Sequence, residues 1–282
     1  MTAPNTLAVV TVSYYSADVL VPFLESVHQS SSSDPDIVVV NNAVDDEGLG
    51  AAVASSPRAR LLESGSNLGY GKAMNLGAKN VETVDWLLLA NPDLTFAPGA
   101  IDELVRVGAS DPSIAIVGPL IRTPAGEVYP SARRLPSLRH GVGHALVGMV
   151  TKNNPWTRAY LADRESPPRQ RDAGWLSGAC LLVRRDVFDR VGGFDDKYQM
   201  YFEDVDLCAR IATDGGRVVY APSAEVTHEG GHSTRRNSRA MIKIHHRSAY
   251  TYLAARYTAW YLAPLRVALR VSLTLRAFVA KS

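Results

Sequence analysis

"LAVVTVSYYSADVLVPFLESVHQSSSSDPDIVVVNN", residues 7–42, decides the fold. Residues 7–15 and 37–42 are β-branched runs that end in polar residues, and Ala17–Gln29 between them is an amphipathic stretch with helical spacing. A strand, a helix and a strand in succession favour a parallel sheet. The pattern continues through a weaker strand near "ARLLES", the buried strand "DWLLLANPD" that stops at Asn91-Pro92-Asp93, the helix "GAIDELVRVGAS" and the strand "IAIVGPL". Alternation of this kind predicts an α/β fold.

A Pro- and Arg-rich stretch from Arg122 to Asp172 has weak periodicity and is expected to be a long loop, a flap near the substrate, with a helical piece around 137–150. From 173 the pattern sharpens. "AGWLSGACLLVRRDVFDRVGGFDD" predicts a buried strand and then a helix closed by Gly192-Gly193, "YFEDVDLCARIATDGG" a helix with an acidic start, and "RVVYAPSAEVTH" a final strand pair. In open α/β sheets ligands sit beyond the carboxyl ends of the strands. Ser13, Tyr14, Asn41, Asn42 and Asp93 occupy such ends.

With 282 residues, 46% hydrophobic and 21% charged, the chain is long and apolar enough for a large core in one domain or two subdomains. Two cysteines, Cys180 and Cys208, match neither a metal knuckle nor a disulfide framework, which points to a reducing compartment and to small buried residues. The first strand lacks the basic flank of a signal peptide, and no apolar run reaches the ~18 residues of a membrane span. A soluble or peripheral protein is expected.

The net charge of +2 hides an asymmetry. No acidic residue follows Glu229, whereas Arg235, Arg236, Arg239, Lys243, Arg247, Arg256, Arg266, Arg270, Arg276 and Lys281 all do, leaving 20 basic and 28 acidic residues in the rest. Such a C-terminal segment is expected to meet an anionic surface. Arg266, Arg270, Thr274 and Lys281 share one polar arc of a helix, and Tyr257, Trp260 and Tyr261 precede it. That is the pattern of an amphipathic helix lying on an anionic leaflet; packing on the rest of the chain or on a second subunit is the alternative. A nucleic-acid partner is not expected.

One short pattern suggests a protease. "HEGGH", 228–232, fits H-E-x-x-H, in which two histidines one helical turn apart hold zinc. Two glycines inside it disfavour a helix by about 1 kcal/mol each. No acidic residue follows as a third ligand. "GYGKAMN" in turn fails the phosphate-loop pattern, because no Ser or Thr follows Lys72.

Several motifs occur together: "VVTVSYYSADVL", "VVVNNAVDDEG", "GSNLGYGKAMNLG", "LLLANPDL", "WLSGACLLVRRDVFDRVGGFDDKYQMYFEDVDLCAR" and "HEGGHS". In order and spacing they resemble family 2 inverting glycosyltransferases of the GT-A fold, over roughly residues 6–233 and most strongly over 174–210. Within that family the chain is most similar to rhamnosyltransferases that use dTDP-L-rhamnose, including actinobacterial cell-wall enzymes acting on a polyprenyl-diphosphate-linked N-acetylglucosamine. The resemblance implies a mostly parallel central sheet flanked by helices. It divides the chain into a glycosyltransferase domain over 1–230, with a nucleotide-sugar half (1–95) and an acceptor half (96–230), and a basic helical segment over 231–282.

The resemblance also implies roles. Asp93 closes the family's DxD motif, here reduced to Asn91-Pro92-Asp93, and would hold a Mg²⁺ or Mn²⁺ ion that neutralises the leaving diphosphate; without the resemblance it is a turn aspartate. Asn41 stands where many relatives carry an aspartate that accepts a pyrimidine N–H, and an asparagine carbonyl can accept the same bond. Asn42, Asp46, Ser13 and Tyr14 join it around the donor, as do Asn67 and Lys72 from "SNLGYGKAMNLG". His228 would reach the diphosphate or its metal, with His232-Ser233 closing over it. Inversion needs one carboxylate to remove the acceptor proton. Asp204 is expected to be that base, Glu203 to orient acceptor hydroxyls, and Trp175 and Gly178 to line the acceptor side; a lone tryptophan is equally a core residue. Asp206 and Arg210 read as an ordinary surface pair. The implied activity is transfer of L-rhamnose from dTDP-L-rhamnose to a lipid-linked acceptor at the cytosolic face of the membrane. The alternatives are a UDP- or GDP-sugar donor, a zinc peptidase, and a non-catalytic binding module.

Overall fold

The computed structural model describes residues 6–136, 168–230 and 238–279. The strands are β1 (Leu7–Ser13), β2 (Asp36–Asn41), β3 (Ala59–Glu63), β4 (Trp86–Ala90), β5 (Leu94–Phe96), β6 (Ile114–Arg122), β7 (Val128–Tyr129), β8 (Ala132–Arg133), β9 (Arg171–Asp172), β10 (Trp175–Leu176), β11 (Cys180–Arg184) and β12 (Arg217–His228). The helices are α1 (Ala17–Ser30), α2 (Leu49–Ala54), α3 (Tyr70–Lys79), α4 (Ala100–Ala109), α5 (Arg185–Arg190), α6 (Glu203–Thr213), α7 (Ser238–Arg256) and α8 (Ala263–Val279).

The main sheet runs β3-β2-β1-β4-β11-β6-β12-β5. Parallel pairing joins β3, β2, β1 and β4, and also β6 and β12. Strand β11 is inserted antiparallel between β4 and β6, and β5 lies antiparallel on β12. Both faces of the sheet are covered. Val9, Ile37, Val39 and Leu88 pack with α1, α2 and α4, while Val10, Val38, Val40, Leu87 and Leu89 pack with α3, α5 and α6. Hence the apolar runs lack polar alternation: successive side chains point to opposite faces, and each face is a core.

"RVVYAPSAEVTH" is one strand, where a strand pair was expected. Pro222 has no N–H for the ladder, and the register against β6 jumps between Ala221 and Glu225, so the chain bends without turning back.

The C-terminal segment forms two helices around a 3₁₀ turn at Trp260–Leu262, and α8 follows the three aromatic residues Tyr257, Trp260 and Tyr261 as expected. Helix α7 packs on the body of the protein, where its Tyr252 joins Tyr198, Val205 and Ala209 in a small cluster. Helix α8 folds back, with Arg270 over the Tyr250 ring at 5.8 Å and Arg266 donating to the carbonyls of Tyr257 and Ala259. Trp260 is 85% exposed, and Tyr261, Val267 and Val271 are exposed too. Among the described residues no helix is long and apolar enough to cross a membrane. The helical piece expected at 137–150, most of the expected flap, His232, Ser233, Arg235, Arg236 and Lys281 lie outside the described residues. Cys180 and Cys208 are free and buried, and burial pushes both thiols up, Cys208 to about 12.

Candidate active site

The acidic pair opens α6. Just before it, Tyr201 and Phe202 adopt left-handed backbone with φ of 66° and 70°. Such a conformation costs non-glycine residues about 1–3 kcal/mol each and clusters at functional sites. Asp204 Oδ2 accepts the Gly178 N–H at 2.9 Å and Oδ1 the Val205 N–H at 2.8 Å. Burial raises the Asp204 carboxyl above its ordinary value, opposed by those N–H groups and by the charge of Arg133. Glu203 is only 6% exposed, and its Oε2 has no hydrogen-bond partner among the described residues. Burial, and then the neighbouring Asp204 charge, push its carboxyl up as well. Two adjacent carboxyls in a dry site resist ionising together, which keeps a proton acceptor poised closer to neutral pH.

Asp206, expected on the surface, is buried. Its bond from Arg210 at 2.7 Å is present, and it also accepts the Tyr198 hydroxyl at 3.3 Å. The first turn of α6 is thereby anchored inward.

Asp93 follows β4, and its Oδ1 lies 3.1 Å from His228 Nε2, with side chains 10% and 21% exposed respectively. Antiparallel pairing sets this geometry, placing Leu94 opposite His228 while the Asp93 carbonyl accepts the Glu229 N–H. The Asn91 N–H donates to the Ala179 carbonyl at 2.8 Å. That bond ties the end of β4 to the turn whose Gly178 holds Asp204. Gly178 is also bound from the start of α3: the Tyr70 hydroxyl donates to its carbonyl at 2.6 Å. Burial, followed by Glu203 and Asp204, raises that hydroxyl well above its usual value, so it stays a donor. His228 ends a strand and Gly230 has a φ of 66°, so the described part of the "HEGGH" pattern, 228–230, is not helical and offers no helix face for zinc ligands.

Among the described residues no three His, Cys, Asp or Glu side chains are grouped to hold a metal. Asp93 and His228 offer one oxygen and one nitrogen side by side. An ion bound largely through substrate phosphates needs only one or two protein ligands, and this pair fits that partial role.

The other predicted donor residues line the ends of β1, β2 and α3. Ser13 Oγ lies 3.1 Å from Ser16 Oγ and donates to Asp46 Oδ2 at 3.3 Å, and Tyr14 is exposed beside them. Asn41 is engaged at both ends of its amide: Nδ2 donates to Glu63 Oε2 at 2.9 Å, and Oδ1 accepts the Ala43 N–H at 3.0 Å. Glu63 was missed on the sequence because it sits in the weakest strand. Asn42 accepts the Leu68 N–H at 2.8 Å and donates to Asn67 Oδ1 at 3.3 Å; that oxygen also accepts the Gly69 N–H. Gly69 has a φ of 82°, and a Cβ there would overlap the Gln199 carbonyl. Lys72 is exposed and reaches Asp196 at 3.9 Å.

On the acceptor side Trp175 is partly exposed, and its Nε1 donates to the Arg134 carbonyl at 3.1 Å. Strand β8 pairs with β10 so that Arg133 stands opposite Trp175, its guanidinium 5.4 Å from that ring and 5.7 Å from the ring of Tyr129. Neither Tyr129 nor Arg133 was singled out on the sequence. Their stretch has no strand periodicity, and only the distant pairing reveals them.

A central mixed sheet flanked by helices on both faces is the architecture of GT-A nucleotide-sugar transferases. Residues 4–251 match the family model described as glycosyltransferase like family 2. The chain belongs to that family. It is 44% identical over 283 residues, covering 97% of this chain and 92% of the relative, to an N-acetylglucosaminyl-diphospho-decaprenol L-rhamnosyltransferase of Mycobacterium tuberculosis. It is 28% identical over 198 residues, 68% of this chain and 72% of the relative, to a rhamnosyltransferase of Escherichia coli strain K12. Among solved structures it resembles a mannosyltransferase of Pyrobaculum calidifontis in complex with GDP-Man and Mn²⁺, with a TM-score of 0.63, 16% identity, and coverage of 100% of this chain and 77% of that one. At that identity the likeness establishes the fold.

Proposed function

We propose that the protein transfers L-rhamnose from dTDP-L-rhamnose to a hydroxyl of N-acetylglucosamine carried on a polyprenyl diphosphate, by a single inverting displacement. The observation that carries this is the 44% identity, over 97% of the chain, to a relative named for that acceptor and that sugar. Asp204 is the base: it takes the proton from the acceptor hydroxyl as the oxygen attacks the anomeric carbon. The Gly178 and Val205 N–H groups fix its two oxygens. Glu203, protonated in its buried position, orients the acceptor by donating a hydrogen bond. Trp175 supplies a flat face for the sugar ring.

At the donor end Ser13, Tyr14, Asn41, Asn42, Asp46, Asn67 and Lys72 surround the nucleotide, and Asn91, Asp93 and His228 face the diphosphate. When bound there, a Mg²⁺ or Mn²⁺ ion would supply positive charge to the leaving diphosphate, held by Asp93 and His228. Helix α8 lies on the anionic cytosolic leaflet where the lipid-linked acceptor resides. Exposed Trp260 and Tyr261, and the lack of any acidic residue after Glu229, support this placement.

The test is to incubate the purified protein with dTDP-, UDP- and GDP-sugars and a polyprenyl-diphosphate N-acetylglucosamine, with and without EDTA, and to follow nucleotide release and lipid product. Acceptor-dependent release from dTDP-L-rhamnose is expected. Transfer from a UDP- or GDP-sugar in preference would overturn the donor assignment.

A further inference from the structure

Two consecutive aromatic residues in left-handed backbone persist only where their surroundings over-determine them. For Tyr201 and Phe202 those surroundings come from the C-terminal helix. The His245 ring meets both edge-on, its centroid 5.4 Å from Tyr201 and 5.5 Å from Phe202. Ser248 Oγ donates to the carbonyl of Met200, just before the pair, at 2.9 Å. The Tyr252 ring is 2% exposed and lies 5.6 Å from Phe202. His245, Ser248 and Tyr252 are spaced by three and four residues, so they share one face of α7. Opposite that face, the Phe202 carbonyl accepts the Asp206 N–H at 2.9 Å and closes the first turn of α6. The clamped pair is therefore the hinge through which the chain enters the helix bearing Asp204.

We infer that α7 is a positioning element of the catalytic site: through His245, Ser248 and Tyr252 it holds Tyr201 and Phe202 in left-handed backbone and so aims Asp204 at the acceptor. This rests on Asp204 being the base of the proposed transfer. Released from the clamp, either aromatic residue relaxes towards the extended or right-handed regions that L side chains prefer, turning the peptide planes that lead into Glu203. The Asp204 carboxylate then leaves its bond with Gly178. The proposed donor residues at the ends of β1, β2, β4 and β12 have no part in this clamp. The expected signature is thus a loss in kcat with donor binding intact, which a helix that merely covered apolar surface would not give.

The experiment compares full-length wild type with His245→Ala, His245→Phe and Ser248→Ala in the transfer assay. His245→Ala should lower kcat by about tenfold to a hundredfold, the scale of a misplacement on the order of 1 Å. The donor KM should stay within about twofold. His245→Phe keeps a ring against both aromatic residues and should recover most of kcat. Ser248→Ala removes one hydrogen bond and little volume, and should lower kcat in the same sense by a few-fold; it carries the test alone if His245→Ala does not fold. Unchanged kcat in the alanine variants, equal shifts in kcat and donor KM, or a His245→Phe variant as slow as His245→Ala overturns the inference. An inactive wild type with dTDP-L-rhamnose counts against the proposed donor instead, and the comparison then runs with the sugar nucleotide that the panel identifies.

Discussion

Replacing Asp204 by asparagine keeps the shape of the side chain and removes its ability to take a proton. In the wild type both carboxylate oxygens accept backbone N–H bonds, from Gly178 at 2.9 Å and from Val205 at 2.8 Å. An asparagine has one oxygen for these two donors, so its NH₂ meets an N–H and one charge-assisted bond is lost, about 1.5–3 kcal/mol. Working against that loss, the carboxylate is held above its ordinary value by burial, so its charge destabilises the fold at neutral pH, and the neutral amide relieves this. The two effects oppose, and the melting temperature should stay close to that of the wild type. Activity should not. Removal of a general base costs about 10²–10⁴ in rate, or about 3–5 kcal/mol of transition-state stabilisation. Nucleotide release and lipid product would be measured at saturating donor, and donor affinity by calorimetry. A variant that transfers sugar at the wild-type rate, or that loses rate only in proportion to its loss of folded protein, refutes Asp204 as the base.

Glu203→Gln should stabilise the protein in a pH-dependent way. The folded carboxyl is raised above its unfolded value of about 4.3, so the wild type is favoured while this group is protonated and loses that advantage as pH rises through the folded value. Thermal melts at about pH 5 and about pH 9 should show the variant gaining on the wild type at the higher pH; a constant difference would be inconsistent with the shift. Gly69→Ala forces a Cβ onto the Gln199 carbonyl at a φ of 82°, and urea unfolding should show a loss of at least about 1–3 kcal/mol. Asp93→Ala should abolish Mn²⁺-dependent binding of the donor nucleotide in calorimetry while metal-free binding persists; metal-dependent affinity equal to the wild type would remove Asp93 from the site. Trp260→Ser should weaken sedimentation with anionic vesicles, and equal binding by both proteins, or none by either, counts against the membrane placement of α8.

The sequence carried the sheet because burial on two faces writes an unbroken apolar run, visible in "AVVTV", "IVVV" and "WLLLA". It could not carry what depends on register. Strand β11 enters antiparallel between β4 and β6, and nothing local in "CLLVR" announces its direction. A strand pair was expected over "RVVYAPSAEVTH", yet β12 passes through Pro222, because the bend is absorbed by a slip against β6. At the site, chemistry-bearing residue types could be singled out at strand and helix ends, and the structure brings Asp93 and His228 together and sets Asp204 against Gly178. Contacts across long separations stayed hidden: Glu63 with Asn41, Arg133 with Trp175, His245 with Tyr201. None leaves a periodic or spacing signal, since each depends on which distant strand or helix is its neighbour.

Gly178 is held from both sides, its carbonyl by the Tyr70 hydroxyl and its N–H by Asp204. A single peptide segment therefore acts as the keystone between α3 and α6. A chimera that takes its first half from one relative and its second from another has to bring a hydroxyl at position 70 to meet a residue at 178 too small to displace the carboxylate behind it. A chimera made without regard to that match loses the link between α3 and the helix that carries Asp204.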